Sequence, residues 1–245
     1  MDGNIMTGEI LIEYDGAIAI VTISRPEKLN AVTYEMLQRF EETIDLLVDS
    51  SDVRIILFKG AGEKAFSAGF DLRMIESLKG KEHSEFFLKL EAIIRKLATA
   101  KNCVTIAAIR GYVIGFGAMV SLACDIRFFS TNAVFSLPEI NISIFPGAGA
   151  AAGLIKLVGP ARAKDILLSG RKVSAEESYH FGIADRLFDP ESVVSAAKEY
   201  AKELASKDST ILIDTKKLVD EMYSREYHDA DTREGFYLRK WLKEF

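Results

Sequence analysis

The chain has 245 residues, 49% of them hydrophobic and 27% charged, enough for one large domain whose core needs no metal or disulfide staples. Its 17 glycines and 5 prolines are too few for a low-complexity or disordered chain. With 31 basic against 36 acidic residues and a net charge of −5, nucleic-acid binding through whole-chain charge is excluded, while a local basic pocket for a phosphate is not.

In chain order, Glu9–Tyr14 and Ala17–Ile23 read as two strands around Asp15-Gly16, a strong hairpin signal between β-formers. Pro26 ends the second strand, and Thr33 is placed to cap a helix whose Leu37, Phe40, Ile44 and Leu47 recur at helical spacing. Val53–Phe58 reads as a strand buried on both faces. A glycine-rich loop from Gly60 to Gly69 leads to a short helix from about Phe70. Residues 84–100 form an amphipathic helix, and Val104–Ile109 another buried strand. Gly111–Gly117 opens a helix to about Ala123, followed by a strand at Ile126–Phe129. Ala133–Phe135 and Asn141–Ile144 are expected as short strands around Pro138, with a further helix starting at Pro146-Gly147. Residues 174–181 and Pro190–Phe245 read as mostly helical, with a strand at Ile183–Phe188. Strands alternating with helical crossovers imply an α/β fold of parallel strands covered by helices. The Lys- and Glu-rich last segment, 190–245, reads as a separate helical layer with one apolar face, set against a core of residues 1–189.

Cys103 and Cys124 lie in apolar runs and are too few for a disulfide framework or a zinc site. His83, His180 and His228 are too far apart for metal spacing, so no metal site is expected and all three are expected exposed. Met1-Asp2-Gly3-Asn4 has no basic start and apolar run of a signal peptide. The uncharged stretches Gly111–Cys124 and Ile140–Ile155 are short or polar-interrupted beside the about 20 apolar residues of a membrane span. A cytoplasmic protein without membrane contact is the expectation.

Two glycine-bracketed turns pass from strand to helix: Ala65-Phe66-Ser67-Ala68-Gly69-Phe70-Asp71-Leu72 and Gly111-Tyr112-Val113-Ile114-Gly115-Phe116-Gly117. The first N–H groups of a helix have no intrahelical partner, and the helix dipole favours negative charge there. Two such turns brought together aim two N–H groups at one oxygen, an oxyanion hole. Alternatively the glycines serve only tight turns and close packing. Glu139, in Leu137-Pro138-Glu139-Ile140, sits in an apolar stretch, where a carboxylate is either paired structurally or raised in pKa for proton transfer.

These segments, with Arg25-Pro26-Glu27-Lys28-Leu29-Asn30-Ala31, Gly111 to Asp125, Pro146-Gly147-Ala148-Gly149 and Gly159-Pro160-Ala161-Arg162-Ala163, resemble in order and spacing the enoyl-CoA hydratase/isomerase (crotonase) superfamily. The resemblance covers essentially the whole chain. It implies a crotonase-like spiral of ββα units in two roughly perpendicular sheets, and a C-terminal helical region, 190–245, that covers the active site and forms homotrimers, often paired into hexamers. It implies an acyl-CoA thioester as substrate, with no cofactor besides the coenzyme A the substrate carries. The thioester oxygen would sit between the backbone N–H groups of Phe70 and Phe116. Lys28, Leu29, Ala68, Gly69, Phe70, Asp71, Leu72, Arg73, Gly115 and Phe116 would bind substrate, Arg73 as a partner for a CoA phosphate.

The sequence departs from the hydratase pattern in one place. Hydratases of this family carry two glutamates; here Glu139 matches one, and Met119 stands where the other belongs. Phe116 replaces a glycine, which spares the N–H but either narrows the acyl pocket or turns its ring away. One carboxylate suffices to carry a proton from the α- to the γ-carbon, whereas hydration usually shares its work between two groups. The ranking is therefore 3-enoyl-CoA to 2-enoyl-CoA isomerase first, 2-enoyl-CoA hydratase second, and a non-catalytic acyl-CoA-binding module behind both. Thioester hydrolase, dehalogenase and decarboxylase rank lower, since no aspartate stands at Met119 for covalent attack. A dinucleotide reading of Gly147-Ala148-Gly149 with Gly153 would need more βα units after it than the chain holds. Asp71, at a helix start, and Asp125, beside a strand, read as structural.

Overall fold

The computed structural model describes residues 8–243, with side chains left out of the description for 223–230. A hairpin, β1 (Glu9–Asp15) and β2 (Ile18–Ser24), turns at Asp15-Gly16, with Gly16 at φ 60. After it come α1 (Tyr34–Val48), β3 (Ile55–Gly60), β4 (Ala65–Ser67), α2 (Leu72–Ser77), α3 (Gly80–Ala98), β5 (Val104–Ile109), β6 (Tyr112–Ile114) and α4 (Phe116–Ala123). The chain continues through β7 (Ile126–Ser130), β8 (Val134–Ser136), α5 (Ala150–Ser169), β9 (Val173–Ser174), α6 (Ala175–Phe181), β10 (Arg186–Phe188), α7 (Val193–Ala205) and α8 (Ser209–Leu242). One sheet runs β1-β2-β3-β5-β7-β10, parallel from β2 onward; the other runs β4-β6-β8-β9, with only β8–β9 antiparallel. Each crossover in the middle of the chain drops one strand into each sheet, so β4 and β6 end side by side and launch their following helices from one edge.

The larger sheet is covered on both faces, which is why β3 and β5 carry unbroken apolar runs. Ile56, Phe58, Ala107 and Ile109 face α1, α3 and the second sheet; Ile55, Leu57, Val104 and Ile106 face α7. Helix α7 presents Val193, Ala197, Ala201 and Leu204 at helical spacing to the sheet of its own chain. Thr33 caps α1, its hydroxyl accepting from the Met36 N–H.

Several expectations need correcting. Asn141–Ile144 is no strand: Glu139–Ile142 is a 3-10 turn, because Asn141 N–H bonds Pro138 O and Ile144 N–H bonds Glu139 O, satisfying the backbone locally. The helix expected at Pro146 starts at Ala150, since Ala148 and Gly149 hold left-handed φ of 55 and 82. Of Ile183–Phe188 only β10 pairs with β7, because the N–H groups of Ile183 and Ala184 close the end of α6 on Ser178 O. His83 is buried, 8% exposed, with its ring 4.9 Å from Phe87 and 5.1 Å from Trp241. The cause is that α3 starts at Gly80, which puts His83 on the same face as Phe86, Phe87 and Leu90. His180 is exposed, and the side chain of His228 lies outside the described residues. Among the described residues no helix is long and apolar enough to cross a membrane.

Candidate active site

The first turn is built from hydrogen bonds that leave one donor over. Val32 N–H bonds Gly69 O at 2.8 Å and Asp71 N–H bonds Val32 O at 2.9 Å, which makes a parallel bridge between Val32 and Phe70. In such a bridge the residues flanking Phe70 supply the bonds, and the N–H of Phe70 itself points the other way. Ser67 Oγ donates to Asn30 O and accepts from Gly69 N–H, holding Gly69 at φ 95. Asp71 caps α2, accepting from Arg73 N–H and from Arg25 Nη1 at 2.9 Å; the hydrogen bond from Arg25 holds its carboxyl below the usual carboxylate range.

In the second turn Gly115 donates to Ser136 O and accepts from Met119 N–H, at φ 51 and ψ −114. Phe116 is thus the first residue of α4, and its N–H has no intrahelical acceptor. Close approach is what the glycines provide. A Cβ on Gly69 would lie 3.3 Å from Ile114 O, and one on Gly117 would lie 2.8 Å from Ser67 O. The two turns therefore touch, and among the described residues neither Phe70 N–H nor Phe116 N–H donates to a protein acceptor.

Both turns open on a cleft of about 590 Å³ lined also by Met119 and Glu139. Glu139 is 6% exposed, and its Oε2 has no hydrogen-bond partner. Burial pushes its carboxyl up to about 7, against a weaker opposing pull from its own backbone N–H. A base that keeps a free oxygen and titrates near neutral pH is suited to taking a carbon-bound proton and returning it. Met119, 5% exposed and one turn into α4, forms part of the cleft wall. Ala68, Gly69, Phe70, Leu72, Gly115 and Phe116 line this cleft. The Phe116 ring turns into the core, edge-on to Phe40 at 5.2 Å and 5.1 Å from Phe70.

Lys28, Leu29, Asp71 and Arg73 do not line it. Lys28 and Arg73 are exposed, and Leu29 borders a second cleft of about 550 Å³ with Pro26, Ala61 and Lys64. Asp125, half-buried, is engaged elsewhere, accepting from the N–H and hydroxyl of Thr105 and pairing with Lys216 of α8. The dinucleotide reading of Gly147–Gly153 does not hold. β8 ends at Ser136, well before the glycines, and the start of α5 is taken by the Glu234 carboxylate, which accepts from the Gly149 and Ala152 N–H groups. Cys103 and Cys124 are buried, and burial raises both thiols above their usual pKa.

Two residues of this architecture escaped the sequence reading. Asn30 is fully buried and donates to Ala61 O and Ala65 O while its Oδ1 accepts from Arg25 N–H, tying three loops beneath the first turn. Its left-handed φ of 56 explains why an asparagine stands there, and Leu29-Asn30 before β-branched and turn residues is only a faint signal of it. Glu234 left no signal, being one acid among many on a charged helix.

The family model described as enoyl-CoA hydratase/isomerase matches residues 13–238. The chain is 32% identical over 197 residues to a short-chain-enoyl-CoA hydratase of Clostridium acetobutylicum, covering 80% of this chain and 75% of that one. It is 30% identical to a crotonyl-CoA hydratase of Syntrophomonas wolfei, over 81% of this chain and 76% of the relative. The crystal structure of an enoyl-CoA hydratase from Bacillus anthracis superposes with a TM-score of 0.83 at 25% identity, covering 96% of this chain and 90% of the other. With the two turns, the cleft and a match spanning both sheets, the chain belongs to the enoyl-CoA hydratase/isomerase family of enzymes.

Proposed function

We propose that this enzyme moves the double bond of a 3-enoyl-CoA to the 2-position. The thioester oxygen sits between Phe70 N–H and Phe116 N–H. The Glu139 carboxylate removes an α-proton; the electron pair shifts onto that oxygen as an enolate, which the two N–H groups stabilise. Collapse of the enolate forms the 2,3-double bond as Glu139 returns the proton to the γ-carbon. Atoms and charge balance without an added cofactor. The observation that carries this reading is that, among the described residues, Glu139 is the only carboxylate lining the cleft, with Met119 also in its wall.

Hydration of a 2-enoyl-CoA is the second reading, favoured by the hydratase names of the Clostridium and Syntrophomonas relatives. It asks Glu139 both to activate the water and to deliver the α-proton. A side-by-side assay of 3-enoyl-CoA isomerisation and 2-enoyl-CoA hydration tests the ranking. Faster isomerisation supports it; faster hydration replaces it with the second reading. In either case Lys28, Leu29, Asp71, Leu72 and Arg73 are assigned to the CoA path, with Arg73 at a phosphate. The exposed Ile211, Leu218, Val219 and Met222 of α8 support assembly of the chain as a homotrimer or hexamer. Its molar mass in solution by light scattering tests this.

A further inference from the structure

Behind the cleft, one face of α8 meets the cleft wall residue by residue. Glu234 accepts from Gly149 N–H at 2.5 Å and from Ala152 N–H at 2.6 Å. Tyr237 stacks on Phe145 at 6.5 Å, and Trp241 meets Phe87 edge-on at 5.3 Å. A Cβ on Gly147 would lie 3.0 Å from Leu238 Cδ1. Positions 234, 237, 238 and 241 share one helical face, and Phe87, Phe145, Gly147 and Ala148 line the cleft. The wall these residues back holds one strained residue, although Gly147 N–H bonds Phe145 O and Ala150 N–H bonds Gly147 O. Ala148 holds φ 55 without being glycine, Gly149 follows at φ 82, and α5 begins only after them. A non-glycine residue in that region is strained, and a partner that ties down the backbone beside it helps to hold the loop.

Glu234 meets that need from 85 positions away, 6% exposed, by satisfying two N–H groups at the start of α5. Glu91 of α3 and Asp231 of α8 flank it and add to the effect of burial, raising its pKa to about 7; Arg95 pairs with both of those acids, and Arg239 with Glu91. Keeping a carboxylate in such surroundings is costly unless its hydrogen bonds are needed.

We propose that Glu234 is a positioning residue that fixes the Gly147–Gly149 wall of the acyl pocket and thereby sets which acyl chains the site accepts, an inference resting on the acyl-CoA reading of the cleft. Glu234 touches no substrate and acts through the loop, so its loss falls on binding and selectivity rather than on proton transfer. Glu234→Ala is expected to raise KM about tenfold or more, with kcat within a few-fold of wild type, and to flatten the preference between four- and eight-carbon acyl chains. Glu234→Gln keeps one acceptor for one N–H and should fall between the two. Titration with butyryl-CoA, followed by emission of the single tryptophan, Trp241, reads binding without turnover.

Folded variants with wild-type KM, butyryl-CoA affinity and chain-length preference would overturn the proposal. So would failure of both variants to fold, which makes Glu234 a stability element alone. If only Glu234→Ala fails to fold, the Gln variant is judged on the same three readings. A wild-type protein that binds no butyryl-CoA refutes the acyl-CoA reading of the cleft itself, a result distinct from unaltered variants of a binding wild type.

Discussion

A Cβ built on Gly115 would lie 3.5 Å from Oε1 of Glu139 and 3.6 Å from the Cα of Gly69. The carboxylate therefore stands against the turn that starts α4, and that turn stands against the one that starts α2. The two turns meet backbone to backbone, and the Glu139 carboxylate reaches the second of them, which suits the proposed base and the two proposed N–H donors. Geometry of this kind needs no reorganisation when charge develops on a thioester oxygen.

Replacing Glu139 by Gln keeps the shape and removes the proton carrier, and turnover should fall at least about 10²-fold. In the wild type the base must be ionised, so kcat/KM should rise with pH and level off above about 7. The stability effect has the opposite sign. Between the ordinary 4.5 and about 7 the folded protein holds a proton that the unfolded chain has released. Stability from this group is full below that window and is lost as pH rises through it. Relative to wild type, Glu139→Gln should gain on the order of 1–3 kcal/mol between pH 5 and pH 8. Thermal melts at both pH values check this, and a constant difference would contradict the buried, raised carboxyl.

Phe70→Pro removes the first hole donor. The bridge to Val32 uses Gly69 O and Asp71 N–H, so the change breaks no hydrogen bond within the protein. Turnover is expected to fall about 10²–10³-fold. A variant with a wild-type circular dichroism spectrum and full activity would remove Phe70 from the hole.

Met119→Glu puts a second carboxylate in the wall of the cleft that Glu139 lines. Hydration of 2-enoyl-CoA should rise about tenfold or more relative to isomerisation, and the melting temperature should drop because a carboxylate replaces a side chain packed among apolar neighbours. Product ratios by chromatography distinguish this from a Met119 that only fills space, for which the melting temperature drops and the ratio stays.

Asn30→Ala takes their partner from the buried carbonyl of Ala65 and from the part-buried carbonyl of Ala61 and N–H of Arg25, and places Ala at φ 56. A loss of about 2–4 kcal/mol is expected. For a domain of this size each kcal/mol is about 2–4 °C in the melting temperature, which calorimetry reads directly. Asn30→Asp keeps the acceptor but aims a carboxylate oxygen at the Ala61 and Ala65 carbonyls, so it should lose at least as much as Ala.

Much of the fold is legible along the chain because its causes are local. Asp15-Gly16 makes its hairpin, Thr33 its cap, and the unbroken apolar runs of β3 and β5 report a sheet covered on both faces. The two glycine turns and Glu139 stand out for the same reason: a strained φ and a carboxylate in an apolar stretch are written in neighbouring residues. Periodicity, however, carries no partner. It marks an apolar face on α7 without saying that the face lies on the sheet of its own chain, and it does not pass beyond residue 84 to the start of α3, so His83 read as exposed.

Only tertiary structure brought Gly69 against Gly115 and Glu139 against Gly115, because the alternation of strands between two sheets sets β4 beside β6. Glu234 is the extreme case. Its worth lies in two N–H donors more than eighty positions earlier, and a lone acid on a charged helix differs from its neighbours only once folding has removed it from water and aimed it at the start of α5. A residue's local preferences travel with the sequence; its desolvation and its hydrogen-bond partners are properties of the packed chain.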